Sequence, residues 1–201
     1  MKLLIATGNP GKLREYRVLL EKLDYDVVGL TDVGLGDMDV EETGETFSEN
    51  AILKAEAYGE ASGLLTLADD SGLVVDALDG RPGVYSARYG EPGLDNAGRR
   101  AYLLREMQTV PDTERTARFV CVIALHHPGT GKTYTTEGTV EGRIIHEERD
   151  AGKGFGYDPI FQPAGYDLTF GELDDEVKNK VSHRGRAAEQ VPGVLAVMMD
   201  E

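Results

Sequence analysis

The chain has 201 residues, with 21 Lys and Arg against 36 Asp and Glu, a formal net charge of −15. That length predicts one domain over residues 1–201, or two lobes sharing one core; 40% hydrophobic with 28% charged residues is ordinary for a globular protein, and 25 Gly with 8 Pro, below the low-complexity range, make disorder, collagen and coiled coil poor readings. The acid excess argues against nonspecific nucleic-acid binding, and no apolar stretch approaches the roughly 18 residues of a transmembrane helix.

The apolar run at 3–6 is too short for the h-region of a signal peptide, and the single Cys121 excludes an intrachain disulfide or a cysteine metal cluster. Both fit a protein of the reducing cytoplasm. Residues 2–6 read as a buried strand that ends in the turn TGNPG. Leu13, Tyr16, Leu19, Leu20 and Leu23 recur at helical spacing over 12–23. A second strand is expected at 25–30, giving a strand–loop–helix–strand opening of the kind found in α/β sheets. After a Gly- and acid-rich loop at 32–44, a helix is predicted over 46–62, with Thr46 and Glu49 as its capping box. A strand at 64–68 should stop at Asp69-Asp70-Ser71-Gly72, and a further short strand is expected at 73–78. The spacing predicts a helix over 96–107 and a long hairpin from 115–125 and 132–140, with His126 and His127 in its turn and on the surface. Cys121 alternates into the core of that hairpin. Residues 149–159 read as a glycine-rich loop. The chain from Ser182 onward reads as helical, with Pro192-Gly193 breaking or kinking it. The fold class is α/β with a mixed sheet.

Four constellations could carry chemistry. Thr7-Gly8-Asn9-Pro10-Gly11-Lys12 lies between strand and helix, where backbone N–H groups, the helix terminus and Lys12 suit an anion; a plain strand–helix turn fits the same spacing. It is not a Walker A loop, since the spacing is too short and no Lys-Ser/Thr pair follows. Asp69 and Asp70 close an apolar strand, where burying two adjacent acids is costly without a partner, and so point to a metal-linked or proton-accepting role. Glu41 by itself reads from composition as solvated surface. Gly152 to Pro159 (GKGFGYDP) either presents Phe155 to a planar base or buries it in the core. The strip 178–186 (KNKVSHRGR) holds Lys178, Lys180, Arg184 and Arg186 without an acid; composition favours a solvated helix start, with Ser182 as its cap, over a polyanion site.

Six stretches in order resemble the inosine triphosphate pyrophosphatase family: TGNPGK at 7–12, EETGETFSENAILKA at 41–55, ADDSGLVVDAL at 68–78, PGVYSARY at 82–89, GFGYDPIF at 154–161 and KNKVSHRG at 178–185. The resemblance implies an elongated mixed β-sheet flanked by helices, two lobes around a central cleft, and a homodimer. It implies hydrolysis of ITP, dITP and XTP to the monophosphate plus pyrophosphate with Mg²⁺, which Mn²⁺ could replace. Carried over by position, Thr7, Gly8, Asn9, Pro10, Gly11 and Lys12 would hold phosphates. Glu42 and Asp70 would hold the metal, and Asp70 would also be the general base. Ser71 and the segment Phe155, Gly156, Tyr157 and Asp158 would contact substrate, with Phe155 stacked on the base. Lys178, His183 and Arg184 would recognise the purine and its 6-oxo edge. Phe155 and Ser182-His183-Arg184 argue against a pyrimidine-directed relative. Glu42, Asp69 and Asp70 argue against a nucleotide-binding module that performs no hydrolysis.

Overall fold

Parallel pairing of the first three strands organises the N-terminal half. In the computed structural model, which describes residues 1–200, β1 (Lys2–Ile5) pairs in parallel with β2 (Asp26–Gly29) and with β3 (Leu65–Val75). β4 (Thr116–His127) and β5 (Lys132–Ile144) follow, and β6 (Phe161–Pro163) pairs antiparallel to β5. The sheet is mixed and six-stranded, in the order β2-β1-β3-β4-β5-β6. The helices are α1 (Pro10–Leu19), α2 (Phe47–Ser62), α3 (Asn96–Glu106), α4 (Asp175–Val181), α5 (His183–Ala188) and α6 (Val191–Asp200).

The chain divides into two compact units. Unit 1 is Met1–Asp70, Cys121–Gly138 and the segment from Arg184; unit 2 is Ser71–Val120 and Thr139–His183. In unit 1, strand alternation sorts the apolar residues onto two faces. Leu3, Ile5, Leu65, Leu67, Cys121 and Ile123 pack with Tyr16 and Leu20 at one face, joined by Val191 and Leu195 of α6. Leu4, Ala6, Ala68, Val122 and Ala124 pack with Ala51, Ala55 and Tyr58 of α2 at the other. Unit 2 has one core, in which Phe119, Phe161 and Phe170 meet with centroids 4.7–6.1 Å apart around Leu103 and Met107 of α3.

Several expected boundaries move, each for a local reason. α1 begins at Pro10 rather than residue 12, because Asn9 caps it: its Oδ1 accepts from the N–H groups of Gly11 and Lys12. The Thr46–Glu49 capping box forms as expected. Asp69-Asp70-Ser71-Gly72 does not stop a strand; β3 runs straight through it to Val75, and a short 3₁₀ turn at Asp76–Leu78 replaces the separate strand expected at 73–78. A carboxylate ends a strand only when it cannot be satisfied in place, and both acids have partners.

His126 is not a surface residue. β4 extends to His127, so His126 stays in register and is 3% exposed, bonded to Thr133 and Glu60, with its ring against Gly59. The strip at 178–186 is not a solvated helix start either, since Lys178, Ser182, His183 and Arg184 are all buried. Pro192-Gly193 does not interrupt a helix: Pro192 sits in the first turn of α6, where its missing N–H is harmless, and the break falls before it. Among the described residues no helix is long and apolar enough to cross a membrane.

Candidate active site

Asp69 and Asp70 are adjacent on β3, so their side chains leave opposite faces of the strand. Asp69 turns to the α1 face. Its Oδ2 accepts from Lys12 Nζ at 2.8 Å, with Arg184 Nη2 at 3.7 Å and Cys121 Sγ at 3.8 Å. Asp70 turns to the α2 face, where Asn50 Nδ2 donates to its Oδ2 at 3.1 Å and Lys54 Nζ lies 3.9 Å from its Oδ1. Lys54 also pairs with Glu42, so one ammonium bridges Glu42 and Asp70. Asn50 and Lys54 stand four residues apart on α2, one turn, and therefore share a face. Asn50 Oδ1 takes the Gly44 N–H at 2.8 Å, drawing the 41–44 loop over this face. A Cβ on Gly44 would stand 2.7 Å from Asn50 Oδ1 and from Glu49 Cβ, so only glycine fits there.

The two carboxylates are pushed apart electrostatically. Burial would raise Asp69, but Lys12, Arg184 and Lys54 outweigh it and hold the carboxyl well below its ordinary value. Burial raises Asp70, with Glu42 adding and Lys54, Lys12 and the Asn50 hydrogen bond opposing. Lys54 keeps its proton: burial disfavours the charge, but Asp70, Asp69 and Glu42 prevail. Neighbouring acids with divergent environments divide roles. Asp69 is a fixed anion, and Asp70 is the better proton acceptor. Asp69 also pushes the buried Cys121 thiol further up, to about 12, after burial itself, which makes Cys121 inert rather than nucleophilic.

The 7–12 loop is held from within. Asn9 N–H donates to Thr7 Oγ1 at 3.2 Å, while Asn9 Oδ1 occupies two amides of α1. Gly8 has no positive φ, and a Cβ there would meet nothing within 4 Å, so neither backbone conformation nor packing requires the glycine.

In unit 2, Asp158 Oδ2 accepts both the Phe155 N–H at 2.8 Å and Lys178 Nζ at 2.9 Å. Lys178 Nζ lies 5.1 Å from the Phe155 ring centroid, within cation–π range. Tyr157 is buried and its hydroxyl donates to Ser86 O at 3.0 Å. Lys178, Phe155 and Asp158 thus come together from two segments 20 residues apart. His183 stacks on Phe119 at 4.7 Å and 11°. Arg184, next in sequence, belongs to unit 1, pairing with Glu15 and lying 5.9 Å over Tyr16. Ser71 opens unit 2 in the middle of β3. Sequence reasoning missed Asn50, Lys54 and Glu15. The signal for the first two was available, because they are polar residues at i and i+4 on the helix face that Ala51 and Ala55 bury.

Two carboxylates, Glu42 and Asp70, drawn to one cation are a donor set that fits Mg²⁺, which takes one or two carboxylates and completes its shell with water and phosphate oxygens. Asp69 stands outside this donor set, since it leaves the other face of β3 and is paired there with Lys12. A closed structural site of the zinc type does not fit, since among the described residues no three His, Cys, Asp or Glu are grouped for a metal.

The resemblance read from the six motifs is borne out by comparison. The Ham1 family model matches residues 3–192. A dITP/XTP pyrophosphatase of Oceanobacillus iheyensis is 49% identical over 191 residues, 94% of this chain and 95% of that protein. One of Geobacter sulfurreducens is 51% identical, covering 92% of each. The fold is that of a solved HAM1 protein from Coxiella burnetii, with a TM-score of 0.87 at 41% identity over 98% of each chain. The Staphylococcus aureus Ham1 structure gives 0.86 at 40% identity, covering 98% of this chain and all of that one. With the family model matching residues 3–192 and relatives about half identical over nearly the whole chain, the chain belongs to the Ham1 family.

Proposed function

We propose that this chain hydrolyses ITP, dITP and XTP to the nucleoside monophosphate and pyrophosphate. The observation that carries the reading is the divided aspartate pair: Asp69 clamped as an anion by Lys12 and Arg184, and Asp70 on the opposite face beside Lys54, raised by burial with Glu42 adding. A module that only binds nucleotides needs no such proton acceptor. Asp70 takes the proton of a water that attacks the α-phosphorus, the α–β phosphoanhydride bond breaks, and pyrophosphate leaves with the electron pair. Glu42 and Asp70 would hold Mg²⁺, which neutralises phosphate charge when bound. Lys12, Thr7 and the open backbone at Gly8 hold phosphate oxygens. Positioning and charge stabilisation supply the rate.

The base is assigned to Phe155 by stacking and to Lys178 and His183 by donors matched to a 6-oxo group. Opposite adenine's 6-amino group such donors would stay unpaired, which disfavours ATP. Arg184, held by Glu15, enters this reading as a cation beside Asp69. We place the enzyme in the cytoplasm, which its single cysteine fits, as one nucleotide pyrophosphatase domain that works as a homodimer, which the resemblance of its motifs implies.

The test is pyrophosphate release from ITP, XTP, dITP, GTP, ATP and a pyrimidine triphosphate, with Mg²⁺ and with EDTA. Metal-dependent turnover of the first three above the rest is expected. Asp70→Asn should cut kcat by about 10²–10⁴ while nucleotide binding survives. Unchanged turnover in that variant would remove Asp70 as the base.

A further inference from the structure

Phe155 can stack on a base only if its loop holds still, and the loop has little intrinsic stiffness. Glycines at 152, 154 and 156 surround it, and Gly156 adopts a left-handed φ of 59°. Asp158 fixes the loop on the N-terminal side of the ring, through the Phe155 N–H. On the C-terminal side the fastening comes from a residue outside every motif singled out in the sequence. Arg100 Nη1 donates to Gly156 O at 2.8 Å.

The rest of Arg100 is arranged to serve that bond. It lies on α3 three residues before the buried Leu103 and seven before the buried Met107, so its aliphatic stem follows the helix face turned to the core. Arg100 Nη2 pairs with Glu148 at 3.0 Å, and the Arg100 side chain is 12% exposed. Its Nε is buried with no hydrogen-bond partner among the described residues. An arginine that leaves one buried N–H unsatisfied while donating to a loop carbonyl is a costly way to stabilise a fold. A charge-assisted bond to Gly156 O, next to Phe155, fits a positional purpose.

We infer that Arg100 is a positioning residue for the base-stacking ring: it holds the carbonyl after Phe155 and thereby sets the plane that the purine meets. The inference rests on the assignment of Phe155 to the base. Arg100 touches no reacting atom, so its removal should weaken binding of the base and leave chemistry and phosphate binding alone.

The experiment compares Arg100→Met, Arg100→Lys, Phe155→Ala and the Arg100→Met/Phe155→Ala double variant. KM and kcat for ITP are measured, with the affinities of IMP and of inorganic tripolyphosphate by calorimetry. Arg100→Met should raise KM and weaken IMP by about tenfold, the order of one lost charge-assisted bond. It should leave kcat within about threefold and tripolyphosphate within about twofold, since neither depends on the base. Arg100→Lys keeps the charge beside Glu148 but loses the fork, and should fall between. In the double variant Arg100→Met should add little to Phe155→Ala, because both remove one stack. If Phe155→Ala weakens IMP while Arg100→Met and Arg100→Lys do not, the positioning role is overturned. Equal weakening of IMP and tripolyphosphate by Arg100→Met would overturn it too, as general loosening. If Phe155→Ala itself leaves IMP unchanged, the base assignment falls and the role of Arg100 falls with it. Should Arg100→Met fail to fold, the IMP-to-tripolyphosphate ratio of Arg100→Lys decides by the same criteria.

Discussion

A single peptide step on β3 separates two tasks. Asp69 and Asp70 differ by one residue, yet one faces Lys12 and Cys121 and the other Asn50 and Lys54. The period of two along a strand does this without any special backbone. Gly8 makes the complementary point, because what it lacks matters rather than what it contacts. Its φ is ordinary and a Cβ would meet open space, so Gly8→Ala should leave stability within about 0.5 kcal/mol of the parent. If the glycine is there to let phosphate approach the backbone, KM for ITP should rise several-fold in the same variant. Urea melts beside initial-rate kinetics check both halves, and an unchanged KM would remove Gly8 from the phosphate contacts.

The working parts of unit 1 are mounted on elements with well-formed ends. α2 carries Asn50 and Lys54 in its first two turns, and its start is closed by the reciprocal Thr46–Glu49 capping box, Glu49 N–H donating to Thr46 Oγ1 at 3.1 Å. Thr46→Ala should cost about 1 kcal/mol. In a chain of this size that is roughly 2–4 °C in Tm by calorimetry. Thr46→Ser should restore it. In unit 2 the start of β4 is tied to the 3₁₀ turn after β3. Thr116 Oγ1 donates to Asp76 Oδ2 at 2.6 Å and Arg118 Nη2 to Asp76 Oδ1 at 2.9 Å. The Thr116 hydrogen bond, and then Arg118 against slight burial, hold the Asp76 carboxyl below its ordinary value. A carboxyl depressed in the folded state stabilises above its unfolded pKa, near about 4. That contribution is lost as pH falls through the lower folded value. Asp76 is 42% exposed on its side chain, so solvent screening limits the gain to below about 1 kcal/mol. The stability gap between parent and Asp76→Ala should be widest above pH 6 and should narrow toward pH 3 in chemical melts. A gap that widened on acidification would contradict the assignment.

At the scale of the molecule the charge balance dominates. A net −15 on 201 residues sets like charges against one another in any compact state. Raising NaCl from about 10 mM to about 0.5 M shrinks the Debye length from about 30 Å to a few ångströms. Tm should therefore rise, despite the weakening of exposed pairs such as Arg118–Glu141. A fall in Tm would mean that attractive pairs outweigh the excess of acids. Each unit is also assembled from separated segments, three for unit 1 and two for unit 2, so no single cut isolates either core intact.

Much was determined by sequence alone, because it is local. The capping box at Thr46, the two long strands of the hairpin and the inward alternation of Cys121 all depend on neighbours within a few residues. The ordered motifs were enough to read the family. What only the tertiary structure decided is which charges meet. Lys12 reaches Asp69 across 57 residues and Arg184 reaches Glu15 across 169, and no periodicity encodes such choices. Composition made the strip at 178–186 look solvated and the 69–72 acids look like a strand end. Both readings treat a charge as needing water, when a buried charge needs only a partner, and partners are found through space.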